Sequence, residues 1–284
     1  MRPRAYAERV LDLVEQRALY ADRTDWPAVR ARVLAAADRA AGPGELHETL
    51  NAVVRQAGGP HSRLLAGGPA RHRSGVAGSA PMTSVVDGAG LLLLPACPGD
   101  LHTRRAYVAA GGEALRRLPL VRGWVVDLRG NGGGSMWPML AVVAGLLGGD
   151  GVIGAFVDRG GKRQPWWLRG SRVGTGRRPQ ARSRGPSPLP GPVAVLTDRG
   201  TASSGEAVAV AFRGLGGVRS YGAATYGFST GNESFRLPDG ARLLITGVRF
   251  ADRTGYVYGG PLPPDVPAAD GDALEVALAG LARH

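Results

Sequence analysis

Lysine is almost missing from this chain. Of its 284 residues 35 are basic, and Lys162 is the one lysine among 34 arginines. A phosphate-cradling P-loop needs Gly-Lys-Ser/Thr, and the lone lysine stands in Gly161-Lys162-Arg163, so that motif is excluded. Cysteine is as scarce: Cys97 alone excludes an internal disulfide, and a reducing cytoplasm fits. Apolar runs are short, as in Leu91–Ala96, which excludes a membrane span. Met1-Arg-Pro-Arg leads into an acid-containing amphipathic stretch rather than an apolar core, so no signal peptide is expected. No histidine pair has ligand spacing, so neither a metal nor another cofactor is expected. What is present is globular: 44% apolar and 20% charged residues exclude wholesale disorder.

Charge is lopsided, with 35 basic against 23 acidic residues for a net +12. Nine basic residues and no acid lie between Arg159 and Arg184, which leaves +3 for the rest. Excess Ala, Gly, Pro and Arg points to codon bias, and residues 159–190 read as a long, solvated basic loop. Trp166 and Trp167 inside it are the stacking surfaces that a nucleic-acid reading would need. The solvated loop is the preferred reading, and neither nucleic acid nor membrane is an expected partner.

The hydrophobic period divides the chain. Tyr6–Leu19, a stretch opened by Asp25-Trp-Pro27 and running to about Ala41, and Glu45–Gln56 read as three helices with apolar stripes. Residues 1–58 are therefore expected to form a helical bundle, and 59–284 a second, α/β domain. Met82–Val86 and Leu91–Pro95 read as a hairpin around Asp87-Gly88, followed by a helix over Thr103–Leu118. Two buried strands, Trp124–Leu128 and Pro192–Thr197, each run into a polar turn and then a helix. Such alternation implies a mainly parallel sheet with its site at the carboxyl edge. Strands at Val218–Tyr221, Ser234–Leu237 and Ala241–Thr246 and a helix over Ala273–Leu281 complete the pattern.

The two strand-to-helix corners carry the chemistry. Gly130–Gly134 has four glycines in five positions, which lets backbone N–H groups approach a ligand. A dinucleotide fingerprint fails because Ser135 stands where its third glycine belongs, so an oxyanion hole is the better reading. Thr201-Ala-Ser-Ser-Gly-Glu206 puts serines at a helix start, where the dipole favours an alkoxide-like nucleophile. An ordinary helix cap uses the same residues.

Three ordered segments, Val126–Gly134, Val195–Glu206 and Gly222–Glu233, resemble the C-terminal processing (tail-specific) serine peptidases, in the branch of the tricorn core and interphotoreceptor retinoid-binding protein. The resemblance implies a ClpP/crotonase-like αβ core behind a helical bundle. It implies Ser203 as nucleophile, with Ser204 and Gly133 as oxyanion donors. Glu206 is then a structural tie, and Phe228 and Thr225 of the third segment are substrate-binding positions. Many relatives carry a lysine base 25 residues after the serine; here that position is Phe228, so a Ser–Lys pair is excluded. No room remains over residues 65–120 for a peptide-capturing PDZ domain.

A base near neutral pH is still needed, and histidine is the usual choice. His47 lies in a helix, His72 and His102 lie among arginines, and His284 is terminal. His61, beside Ser62 after the bundle, occupies the base position of the tricorn-like branch. Glu233 is the expected orienting group for His61, with Ser62 as a relay. Three activities stay open: hydrolysis of a peptide or small acyl substrate, acyl transfer in peptide natural-product maturation, and non-catalytic binding of an apolar ligand. Relatives often assemble through their helices, which carries an expectation of a homo-oligomer.

Overall fold

A computed structural model describes residues 2–67, 80–97, 99–269 and 271–283. His72 and His284 lie outside the described residues. The chain divides into two compact units, residues 1–75 with 158–162 and 230–248, and residues 76–157 with 163–229 and 249–284.

In the first unit, α1 (Pro3–Arg17) buries Tyr6, Ala7, Val10, Leu11 and Val14, a single stripe at helical spacing. The N-cap of α2 (Trp26–Ala37) is Asp25, whose carboxylate accepts the Ala28 N–H at 3.1 Å, with Pro27 in the first turn. The third helix, α3 (His47–Gly58), ends at Gly59, whose φ of +80° stops the helical ladder. Its Leu50, Val53, Val54 and Ala57 face the other two helices. The bundle is not purely helical. Strand β1 (Arg63–Leu65) pairs antiparallel with the start of a long strand, Arg242–Ala251, which also pairs with Thr230–Arg236. Leu237, Ala241, Leu243 and Ile245 from this region close the helical core. Short amphipathic helices need such a covering surface to be stable.

In the second unit, β2 (Met82–Val86) and β3 (Ala89–Leu93) form the expected hairpin. Helix α4 (Leu101–Arg117) follows, capped by the Asp100 carboxylate on the Thr103 N–H. Strand β4 (Trp124–Asp127) runs to the first corner and α5 (Met136–Val142). An antiparallel meander comes next: β5 (Gly151–Asp158), β6 (Arg163–Arg169), β7 (Arg172–Thr175) and β8 (Arg178–Arg182). Strand β9 (Val193–Thr197) then reaches the second corner and α6 (Ser204–Phe212). After β10 (Val218–Gly222) come β11 (Thr230–Arg236) and β12 (Arg242–Ala251), the two strands already described. The chain ends with β13 (Val266–Pro267) and α7 (Ala273–Leu281).

The sheet order is β13-β10-β9-β4-β3-β2, parallel except for the β2–β3 hairpin. All nine residues of the central pair β4 and β9 are buried, as parallel strands covered on both faces require. Val126 pairs with Val195 and Asp127 with Leu196, so the two strands end side by side and bring both corners to one edge. Helices α5 and α6 cover one face with Met139, Leu140, Val208 and Phe212, while α7 packs Ala277, Leu278 and Leu281 on the other.

The stretch expected to be a basic loop is largely strands β6 to β8. Trp166 and Leu168 of β6 and Val173 of β7 point inward, while the arginines are exposed; this is a period of two hidden under a loop-like composition. Trp166 is fully buried and Trp167 nearly so, which removes both as stacking surfaces. Among the described residues no helix is long and apolar enough to cross a membrane.

Candidate active site

Ser203 sits between β9 and α6 with φ +54° and ψ −115°, a region that a side-chain-bearing residue occupies only under constraint. Such strain costs about 1–3 kcal/mol. The surroundings hold it in place. Glu206 Oε2 accepts the Ser203 N–H at 2.7 Å, and Ala202 donates its N–H to the Asn131 carbonyl at 2.9 Å. Thr201 donates its hydroxyl to the Leu128 carbonyl at 2.8 Å. The result is a sharp strand-to-helix turn with Ser203 as the N-cap of α6, the backbone form of a nucleophile elbow.

The two corners are bonded into one body. Asp198 Oδ1 accepts the N–H groups of Gly130 and Gly200, both at 2.9 Å. Ser204 donates its hydroxyl to the Gly134 carbonyl at 2.8 Å. Asn131, fully buried, donates from Nδ2 to the Leu94 carbonyl at 2.7 Å. Its Oδ1 accepts the Gly133 N–H at 3.0 Å. The Gly133 N–H, expected as an oxyanion donor, is thus engaged inside the turn. Gly133 supplies clearance instead. A Cβ there would lie 2.9 Å from Ser203 Cβ and 3.0 Å from the Ser204 nitrogen, at a φ of +105°. Two N–H groups remain at this place. Ser204, first residue of α6, has no helical carbonyl one turn behind it to receive its N–H. The Gly134 N–H has no acceptor among the described residues.

Glu206 is the tie that the sequence anticipates. Fully buried, its carboxylate receives Ser203 N–H on one oxygen, and Thr225 Oγ1 at 2.5 Å and Gly227 N–H at 3.0 Å on the other. Burial pushes its pKa up, and these hydrogen bonds oppose the push. Thr225, expected at the substrate, is 4% exposed; its hydroxyl donates to Glu206 and accepts the Leu262 N–H at 2.9 Å, so it braces the turn. Phe228 is half-buried and meets Tyr226 edge-on with ring centroids 4.5 Å apart. Tyr226 is exposed, and its N–H donates to the Thr201 carbonyl at 2.9 Å.

His61 belongs to the first unit. The residue is 9% exposed, and Nδ1 lies 2.9 Å from Thr230 Oγ1. Burial, helped by the charge of Arg63, lowers its pKa to about 4 and keeps the imidazole neutral at pH 7. Ser62 and its neighbours fix the backbone. The Ser62 hydroxyl accepts the Thr246 N–H and donates to Thr246 Oγ1, both at 2.9 Å. Thr246 Oγ1 donates to Asn232 Oδ1 at 2.7 Å, and Asn232 Nδ2 donates to the His61 carbonyl at 3.2 Å. Glu233, expected to orient His61, has a half-exposed carboxylate 3.9 Å from Arg17, and Thr230 Oγ1 lies on His61 Nδ1. Strand alternation explains the miss: Thr230 and Asn232 share one face of β11, and Glu233 points to the other. Thr246 was invisible in the sequence for a similar reason, since a hydroxyl ladder between strands leaves no spacing signature.

His47 is also bonded, to Asp239 Oδ2 at 2.7 Å, in a cluster with Tyr6 that ties helices α1 and α3 to the β11–β12 turn. Among the described residues no group of three or more His, Cys, Asp or Glu side chains stands where it could hold a metal ion.

Residues 108–267 match the family described as Peptidase family S41. The chain is 28% identical over 265 residues to the nisin-resistance protein of Lactococcus lactis subsp. lactis, covering 93% of this chain and 83% of that one. The solved structure of a lipoprotein from Streptococcus agalactiae superposes with a TM-score of 0.86 at 27% identity, over 100% of this chain and 97% of that chain. The photosystem II D1 C-terminal processing protease shares the fold, with a TM-score of 0.63 at 16% identity over 100% and 97% of the two chains. With more than half of its residues matched by the family, this chain belongs to peptidase family S41.

Proposed function

We propose that the protein is a serine peptidase in which Ser203 is the nucleophile and His61 its base. The single observation that carries the reading is the strained Ser203 backbone at the head of α6, held by Glu206, beside a Ser204 N–H with no acceptor among the described residues. Strain of this kind persists where the surroundings over-determine it and clusters at reactive positions. Ser203 Oγ attacks the carbonyl carbon of a peptide bond as His61 takes its proton. The carbonyl oxygen becomes an oxyanion, received by the N–H groups of Ser204 and Gly134. His61 then returns the proton to the leaving amine, and water releases the acyl group by the reverse sequence.

The neutral state of His61 supports this role. In the tautomer that carries its proton on Nδ1 and donates it to Thr230 Oγ1, Nε2 holds the lone pair that a base needs. Lysine chemistry has no counterpart at this position, since Phe228 stands there. The half-buried Phe228 beside exposed Tyr226 suits an apolar residue of the substrate next to the scissile bond. The Streptococcus agalactiae relative is a lipoprotein, and by that likeness we infer a cell-surface placement rather than a cytoplasmic one. Assay of wild type, Ser203→Ala and His61→Ala on a panel of peptides and esters tests the proposal. Both variants should lose activity by at least about a thousandfold, and equal turnover by all three would overturn it.

A further inference from the structure

The meander β5 to β8 has two unlike faces. Leu168, Val173 and Ala181 are in register across β6, β7 and β8, and that face packs on α5. On the opposite face the register sets Arg169 against Arg172 and Arg172 against Arg182. Three exposed arginines therefore stand in one row across three strands, about 5 Å apart per strand. Like charges directly opposite one another destabilise a sheet. Among the described residues none of the three forms an ion pair. The carboxylate of Asp150 at the adjoining turn accepts the Gly170 N–H, and Arg182 Nε donates to Ser171 Oγ. Arg163, Arg177, Arg178 and Arg184, all exposed, add to the charge of the same meander.

We infer that this face docks on an anionic membrane surface, its arginines receiving lipid phosphates. Guanidinium groups bind phosphate oxygens in pairs, and each basic residue near an anionic bilayer adds about 1 kcal/mol. The face offers little to a nucleic acid beyond charge. Trp167 packs against Gly174, where an added Cβ would come within 2.7 Å of the indole, and the Arg169 guanidinium covers its ring at 4.9 Å. No indole is thus open to stack on a base, and strands and turns present no helix to a groove. Val152, directly opposite Trp167 and 50% exposed, sets an apolar side chain amid the cations, which suits the headgroup boundary. A protein partner would demand an apolar core, and here that amounts to one valine. Peripheral binding of this kind needs no membrane span, whose absence was the ground for expecting no membrane partner.

Flotation with phosphatidylcholine vesicles, with and without phosphatidylglycerol, tests this independently of any peptidase activity. The variant R169Q/R172Q/R182Q is compared with R9Q/R32Q/R39Q, which removes the same charge from exposed arginines of the helical unit. Wild type should bind only phosphatidylglycerol vesicles, more weakly as salt rises. The first variant should lose about a hundredfold in partition and the second little. Should a variant fold poorly, wild type alone answers by footprinting: phosphatidylglycerol vesicles should protect Arg169, Arg172 and Arg182 from phenylglyoxal and leave Arg9, Arg32 and Arg39 reactive. Equal losses in both variants, equal protection everywhere, or no preference for phosphatidylglycerol would overturn the inference. So would tighter binding of single-stranded or duplex oligonucleotides that depends on the same three arginines.

Discussion

His61 Nδ1 stands 2.9 Å from the hydroxyl of Thr230, in the position where a catalytic histidine ordinarily meets a carboxylate. A hydroxyl orients the ring without placing a negative charge beside it. In the proposed mechanism the imidazolium would therefore gain less than it would from an acid. Thr230→Val should lower kcat about tenfold with KM little changed, and Thr230→Ser should restore it. NMR titration of His61 should be unaffected by Glu233→Gln. A shift caused by that variant would return Glu233 to the orienting role.

Burial of His61 has a signed consequence for pH. The native pKa is about 4, below the 6.5 of the unfolded chain. Between those values the unfolded state binds a proton that the native state refuses, so stability falls as pH drops from about 6.5 toward 4. The loss should reach about 2 kcal/mol at pH 5. Urea titrations of wild type and His61→Gln at pH 7 and 5 check this, since the variant should lose that difference. The same shift predicts that kcat/KM stays level down to about pH 5 rather than declining at 6.5.

Glu206 holds Ser203 with one oxygen and the Thr225–Gly227 turn with the other. An amide cannot accept on both sides, so Glu206→Gln sets an NH2 group against a backbone or hydroxyl donor. About 2–4 kcal/mol of stability should be lost, with the reactive serine disordered before the whole domain unfolds. Thermal melting and the rate of serine labelling measure the two effects separately.

Gly133 and Gly132 are adjacent and chemically alike, yet their environments differ. A Cβ on Gly133 crowds Ser203 Cβ and the Ser204 nitrogen, while one on Gly132 meets nothing within 4 Å. Gly133→Ala should suppress serine labelling at least about a hundredfold, and Gly132→Ala should leave it near wild type. Equal labelling of both variants would remove Gly133 from the site.

The corners were readable in the sequence because their chemistry demands particular residues at particular spacings. Clustered glycines and a Ser-Ser-Gly-Glu helix start leave few alternatives. The βα order followed from apolar runs ending in polar turns; the last helix falls where the pattern puts it, and in the first hairpin the second strand begins two residues earlier, at Ala89. The meander was hidden because Gly, Pro and Arg dominate its composition, although Trp166, Leu168 and Val173 keep an inward face. Thr230 and Thr246 were hidden for another reason: their partners are 169 and 184 residues away in sequence, and threonine is ordinary in strands. The bond from the Gly133 N–H to Asn131 could not be foreseen, since it depends on how one asparagine side chain turns within a five-residue corner.

Labelling with a fluorophosphonate, followed by peptide mass analysis, tests the central claim most directly. A single adduct on Ser203 is predicted, absent from Ser203→Ala and formed at least about a hundredfold more slowly by His61→Ala. An adduct on another serine, or equal labelling rates for wild type and His61→Ala, would contradict the account.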